Sequence, residues 1–257
     1  MDKSADDLYR TTYPLVAQKN AEHYARYPGD VEQARKVARR LAAGDTRLPG
    51  GAPLTVEAFQ SLGRMLGSST GSHHLHYLLE DPFASGDELS DDFLHQVQEH
   101  LTFSAGPLYA LLHEACYAQR AATRWAAQRV RAEFGEFDAA AALDGDGPLL
   151  FTGEMIYPWM LENDPVLAPL AEAGEILAQK DSWPPLYDEA RLRACDVPAA
   201  AAVYFDDMYV PSKFSVPTAR AIRGLRAWVT NEYEHDGLRV SDGKVLDRLI
   251  AMVRGNA

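Results

Sequence analysis

The chain has 257 residues, enough for one large domain or two small ones. Apolar residues make up 47% and charged residues 24%, the balance of a soluble globular protein, and a net charge of −12 disfavours nucleic acid or an anionic membrane as partner while leaving carboxylates to spare for a cationic group. No apolar run approaches the roughly 18–20 residues of a membrane helix, MDKSADDLYRTTYPL has neither part of a signal peptide, and Cys116 and Cys195 make no disulfide framework, so the reading is cytoplasmic.

Residues 1–185 read as a helical block. SADD at Ser4–Asp7 is a capping start, after which Leu8, Tyr9, Thr12, Leu15 and Val16 recur at helical spacing. A second helix runs from Val31 to Ala43 and stops at Gly44. Thr55 caps a third, with Val56, Phe59, Leu62 and Leu66 on one face, and Ser90 caps another, with Phe93, Leu94, Val97 and Leu101 apolar. Tyr109 to Phe134 is a long or broken helical stretch, and Phe151 to Leu177 reads as helix interrupted by Pro158 and Pro165.

The pattern changes at the WPPLYD linker, after which residues 186–257 read as strand, helix, strand, helix. VPAAAAVYF has the composition of a buried strand, Ser215 to Ile222 suits a helix, and Leu225 to Thr230 suits a second buried strand. Asp242 is placed to cap a last helix bearing Val245, Leu249, Ile250 and Val253, closed by Gly255. Strands joined by a helical crossover are expected to be parallel neighbours.

Each strand runs into a polar turn. The first delivers Asp207, beside Asp206, just past a strand end, where ligands meet open α/β sheets; the second delivers His235, 28 residues later. A carboxylate and an imidazole in that order fit the last two members of a Ser–Asp–His triad. The serine is the difficulty. GSSTG (Gly67–Gly71) matches G-x-S-x-G with Ser69 in the serine slot, but helical sequence precedes it where a nucleophile elbow needs a strand. HHLH (His73, His74, His76) lacks a third ligand at metal-site spacing and reads as a polar helix start, so no metal is expected. Glu154 in FTGEMIYPWM and Glu114 in LLHEACY are carboxylates among aromatics, a setting suited to an ammonium group.

ATRWAAQRVRAEF, LLFTGEMIYPWM, DSWPPLYD, VYFDDMYVP and WVTNEYEHDGLR together resemble the larger-type bacterial prolyl aminopeptidases (proline iminopeptidases), serine peptidases of the α/β-hydrolase fold. HYLLEDPF and LYRTTYPLVAQKNAEHYARYP add to the likeness, which covers almost the whole chain. The resemblance implies an α/β class: a partial α/β-hydrolase, with a helical cap in 1–185 followed by the C-terminal part of the parallel-sheet core in 186–257. It implies release of N-terminal proline from peptides, with no cofactor. It makes Asp207, four residues before Pro211, the triad acid and His235 the base. Glu154, and less directly Glu114 and Glu232, match the glutamates that hold the substrate's amino terminus.

The HGGPG-like oxyanion loop and the G-x-S-x-G-G elbow of the family are not in the sequence. The expectation is therefore a C-terminal part of the enzyme, inactive alone, whose nucleophile lies before Met1 or on a separate chain. The alternative is a non-catalytic cap-like module that binds peptides or a partner.

Overall fold

A computed structural model describes residues 3–256. Ser4 starts helix α1 (Ala5–Arg26) with a reciprocal capping box: its Oγ accepts from the Asp7 amide (3.1 Å) and the Asp7 carboxylate accepts from the Ser4 amide (3.3 Å). Tyr9, Tyr13, Val16 and Asn20 line the buried face of α1 at spacings of three and four. Helix α2 (Asp30–Leu41) brings Ala34, Val37, Ala38 and Leu41 to the same core. The Thr55-capped helix α3 (Val56–Gln60) tightens into a 3-10 turn over Ser61–Gly67. There Gly63 abuts the Thr152 carbonyl, and a Cβ would lie 2.3 Å from that oxygen.

Helix α4 (Gly71–Glu80) carries the HHLH histidines, of which His73 and His76 pack on Tyr27 while His74 is exposed. His73 Nδ1 lies 2.5 Å from the Tyr27 hydroxyl; His76 stacks on the Tyr27 ring at 3.8 Å and lies 3.0 Å from Asp30. A small hairpin, β1 (Phe83–Ser85) and β2 (Glu88–Leu89), turns at Gly86 (φ 58) and leads to α5 (Asp91–Leu101), capped by Ser90. The 109–134 stretch is broken into α6 (Pro107–Leu112), a 3-10 turn at Glu114–Tyr117 and α7 (Ala126–Arg131). Left-handed Arg120, Arg124 and Trp125 separate the last two.

After α8 (Ala139–Asp144) the helical reading of Phe151 to Leu177 is corrected. Residues 151–157 are irregular with a bend at Glu154, and Pro158 begins α9 (Pro158–Asn163) rather than interrupting a helix, since a first-turn proline gives up an amide that has no partner there. The segment from Leu149 to Tyr157 threads the core with Leu149, Phe151, Met155, Ile156 and Tyr157 buried. Side chains from distant helices satisfy its backbone. Asn20 bonds both the amide and the carbonyl of Phe151 at 2.8 Å, Tyr24 donates to the Leu149 carbonyl (2.5 Å) and Gln60 to the Leu150 carbonyl (2.8 Å). Helix α10 (Ala171–Gln179) completes the block.

Beyond α11 (Glu189–Ala194) lie β3 (Ala199–Tyr204), α12 (Ser212–Ala221), β4 (Leu225–Thr230), the short α13 (Gly237–Val240) and α14 (Lys244–Arg254). The two strands pair in parallel from Ala199 with Leu225 to Tyr204 with Thr230. They are not the buried strands their composition suggests: only Val203 of β3 and Thr230 of β4 are buried, because α12 and α14 cover a sheet that ends at two strands among the described residues. Asp242 does not cap α14. It lies left-handed (φ 49), and Gly243 (φ 82) takes the cap position. Gly255 (φ 78) closes the helix as expected. The main buried cluster falls almost entirely within 5–157, Met208 being its one member from the sheet region.

Phe205, Val229, Leu246 and Ile250 are exposed around the sheet, so the isolated chain is expected to self-associate at micromolar concentration, as unpaired apolar edges do. Light scattering that shows a monodisperse monomer across that range would contradict this.

Candidate active site

Parallel pairing brings the ends of β3 and β4 out side by side, which sets the two following turns against each other. In the first, Asp207 is 4% exposed. Its Oδ1 accepts from the amides of Tyr209 (2.7 Å) and Val210 (2.9 Å), fixing the carboxylate, and its Oδ2 lies 2.8 Å from His235 Nδ1. Asp207, not its neighbour Asp206, thus meets the histidine. His235 is half exposed, and the Tyr209 ring packs edge-on against it at 4.9 Å.

The hydrogen bond that Asp207 accepts from Nδ1–H holds the His235 pKa above its ordinary 6.5, against the opposing effect of burial. With Nδ1–H directed at Asp207, Nε2 is the ring atom left to take and return a proton. His235 lines a cleft of about 510 Å³ together with Arg64, Ser68, Glu154, Tyr209 and Asp236. That size is in the range of small-ligand sites, ~300–1,000 Å³. A smaller, more apolar cavity of about 230 Å³ between Leu48, Phe103 and Trp159 has no histidine on its wall.

Glu154 stands three residues beyond Phe151, held by Asn20, and two beyond Thr152, whose amide donates to the Gln60 carbonyl. Its carboxylate accepts from the Tyr109 hydroxyl, whose pKa is raised by burial and then by that carboxylate. Tyr109 in turn stacks on Phe103 at 5.7 Å. The result is a carboxylate on the wall of the cleft with aromatic neighbours.

The other two glutamates lie elsewhere. Glu114 is buried, and its two oxygens accept from the amides of Ala126 (3.0 Å) and Ala127 (2.9 Å), the free donors at the start of α7. Glu232 is exposed in the turn after β4 and does not line the cleft.

Ser69 is not on a strand-to-helix elbow. It is exposed on the turn between the 3-10 segment and α4, and its Oγ donates to Asp236 at 2.7 Å. Ser68 Oγ donates to the Met65 carbonyl at 3.0 Å. The glycines of GSSTG have packing reasons: a Cβ on Gly67 would lie 2.3 Å from the Tyr209 ring, and one on Gly71 only 1.6 Å from the Met65 carbonyl oxygen. Tyr109, Tyr209 and Asp236 were not singled out from the sequence. Tyr209 and Asp236 were accessible to it in principle, since each lies within two residues of Asp207 or His235.

Comparison with known proteins finds relatives over almost the whole chain. The chain is 48% identical over 252 residues to the proline iminopeptidase of Aeromonas sobria, covering 98% of this chain and 58% of that protein. It is 30% identical over 244 residues to the proline iminopeptidase aneH of Aspergillus aculeatus, covering 93% of this chain and 53% of that protein. No family model matches. The chain is a homologue of proline iminopeptidases and spans somewhat over half of their length; its helical block followed by β3–α12–β4–α14 is a partial α/β-hydrolase, the fold of those enzymes. No helix among the described residues is long and apolar enough to cross a membrane.

Proposed function

We propose that this chain supplies the acid and the base of a serine peptidase that releases N-terminal proline from peptides. The Asp207–His235 hydrogen bond at the ends of paired parallel strands carries this reading. Residues 1–185 are the cap over the site and 186–257 the sheet part that bears the dyad. His235 Nε2 takes the proton of a seryl hydroxyl as it attacks the prolyl carbonyl and returns it to the leaving amine, while Asp207 holds the ring and stabilises the imidazolium. Glu154 receives the secondary ammonium of the substrate's proline by charge, with Tyr109 and Tyr209 as aromatic neighbours. Glu114 acts at one remove, by fixing the start of α7.

Among the described residues no serine hydroxyl is bonded to His235; Ser68, on the cleft wall, donates to the Met65 carbonyl and Ser69 to Asp236. The nucleophile and the oxyanion donors are accordingly assigned to polypeptide outside residues 3–256, in a longer protein or a second chain. The free thiols of Cys116 and Cys195 suit a reducing cytoplasm.

Calorimetry with prolinamide and N-acetylprolinamide tests the reading on the chain itself. Prolinamide is expected to bind and the acetylated compound, which has no ammonium group, is not. Glu154→Gln should weaken prolinamide about tenfold or more, the effect of losing a charge-assisted hydrogen bond. Equal binding of both compounds would remove Glu154 from the role. Hydrolysis of a proline coumarylamide by the chain alone, lost in Ser69→Ala, would overturn the assignment of the nucleophile.

A further inference from the structure

The histidine turn, which packs on the sheet through Tyr233, is also tied to the helical block. Three consecutive residues of it are tied there. Glu234 Oε1 accepts from Lys19 Nζ of α1 at 2.6 Å, and that lysine side chain is only 8% exposed. The His235 amide donates to the Gly67 carbonyl at 3.3 Å. Asp236 accepts from the Ser69 amide at 3.2 Å and from the Ser69 hydroxyl at 2.7 Å. The same 3-10 segment also reaches the aspartate turn, because the Tyr209 hydroxyl donates to the Arg64 carbonyl and the Tyr209 ring rests on Gly67.

We propose that Lys19 and Ser69 are positioning residues that clamp the His235 turn, so that the helical block sets the Asp207–His235 geometry. The inference rests on the reading of His235 as the base and adds to it a role for the GSSTG turn that is not nucleophilic. Its physical basis is connectivity. Between Thr230 and the start of α13 at Gly237 the chain has no secondary structure of its own, so bonds from outside must fix where the imidazole sits. Glu234 Oε2 is buried without a hydrogen-bond partner, so removal of Lys19 leaves the whole carboxylate without its cation and favours its withdrawal toward water. Loss of Ser69 Oγ removes a charge-assisted bond from the residue on the other side of His235. Either change lets the ring swing off Asp207 while Asp207 itself, held by the amides of Tyr209 and Val210, stays in place.

The test uses the full chain and needs no turnover. The rate of His235 carbethoxylation by diethyl pyrocarbonate, read by peptide mass across pH, follows the neutral imidazole and gives its titration midpoint. Hydrogen exchange of the peptide spanning 233–238 gives the looseness of the turn. Ser69→Ala and Lys19→Met should each move the midpoint down toward 6.5 and speed the exchange about tenfold, and Ser69→Thr and Lys19→Arg should restore both. Ser69 is exposed, so its variant keeps the fold and decides the matter even where Lys19→Met does not. A wild-type midpoint and exchange rate in Ser69→Ala would overturn the clamp. Asp207→Asn separates the two ideas: if it lowers the midpoint and Ser69→Ala does not, the clamp alone fails; if neither does, the dyad fails.

Discussion

Asp207→Asn should lower the His235 titration midpoint and, in any active assembly that includes this chain, reduce kcat by about 10⁴-fold, the loss known for the equivalent change in a Ser–His–Asp protease. The argument starts from the two oxygens of Asp207. Oδ1 accepts from the Tyr209 and Val210 amides, so an asparagine must leave its carbonyl oxygen there and turn its amide nitrogen toward His235 Nδ1. A donor now faces that ring nitrogen. The neutral imidazole answers by moving its proton to Nε2, the atom that has to accept the serine proton. The stability effect has a definite sign. The folded pKa of His235 is raised above the unfolded 6.5, so the pair's contribution is fully present below 6.5 and is lost as pH rises through the folded value. The gap between wild type and Asp207→Asn in urea midpoint is therefore largest in acid and narrows toward alkaline pH. A gap that widens with pH would mean that His235 is not the titrating partner.

The dyad was legible because its signals are local. A short apolar strand, a polar turn and a helical crossover are each written within ten residues, and β4 falls where the pattern placed it, at Leu225–Thr230. What surrounds the dyad was not legible, for the opposite reason. The stretch from Phe151 reads as helix, but the backbone that leads into it at Leu149, Leu150 and Phe151 is partnered by Tyr24, Gln60 and Asn20, side chains some 90 to 131 residues away. No window of sequence contains that information. Glu114 shows the same limit at shorter range: its carboxylate lies among aromatics in sequence, yet the amides it accepts from belong to Ala126 and Ala127, across a left-handed turn. Apolar composition marked β3 and β4 as strands and overstated their burial, since composition does not say how many neighbours a sheet has.

Gly63→Ala joins the fold to the site in one substitution. A Cβ at this position would lie 2.3 Å from the Thr152 carbonyl oxygen and 2.5 Å from Phe151 Cβ. Neither is the far end of a flexible side chain, so the 151–157 backbone itself has to move. The better helix propensity of alanine returns at most about 1 kcal/mol, while forced backbone shifts in a packed core cost about 1–3 kcal/mol and sometimes more. Moving this segment also strains the paired Asn20 bonds to Phe151 and the 2.7 Å bond from the Thr152 amide to the Gln60 carbonyl. A net loss of about 1–2 kcal/mol is expected, read as a fall in urea midpoint. The displaced backbone leads within two residues to Glu154. Prolinamide affinity should therefore fall in Gly63→Ala. Unchanged stability would contradict the packing of the segment against Gly63. Lost stability with undiminished prolinamide affinity would instead detach amine binding from Glu154, which stands two residues beyond the displaced Thr152.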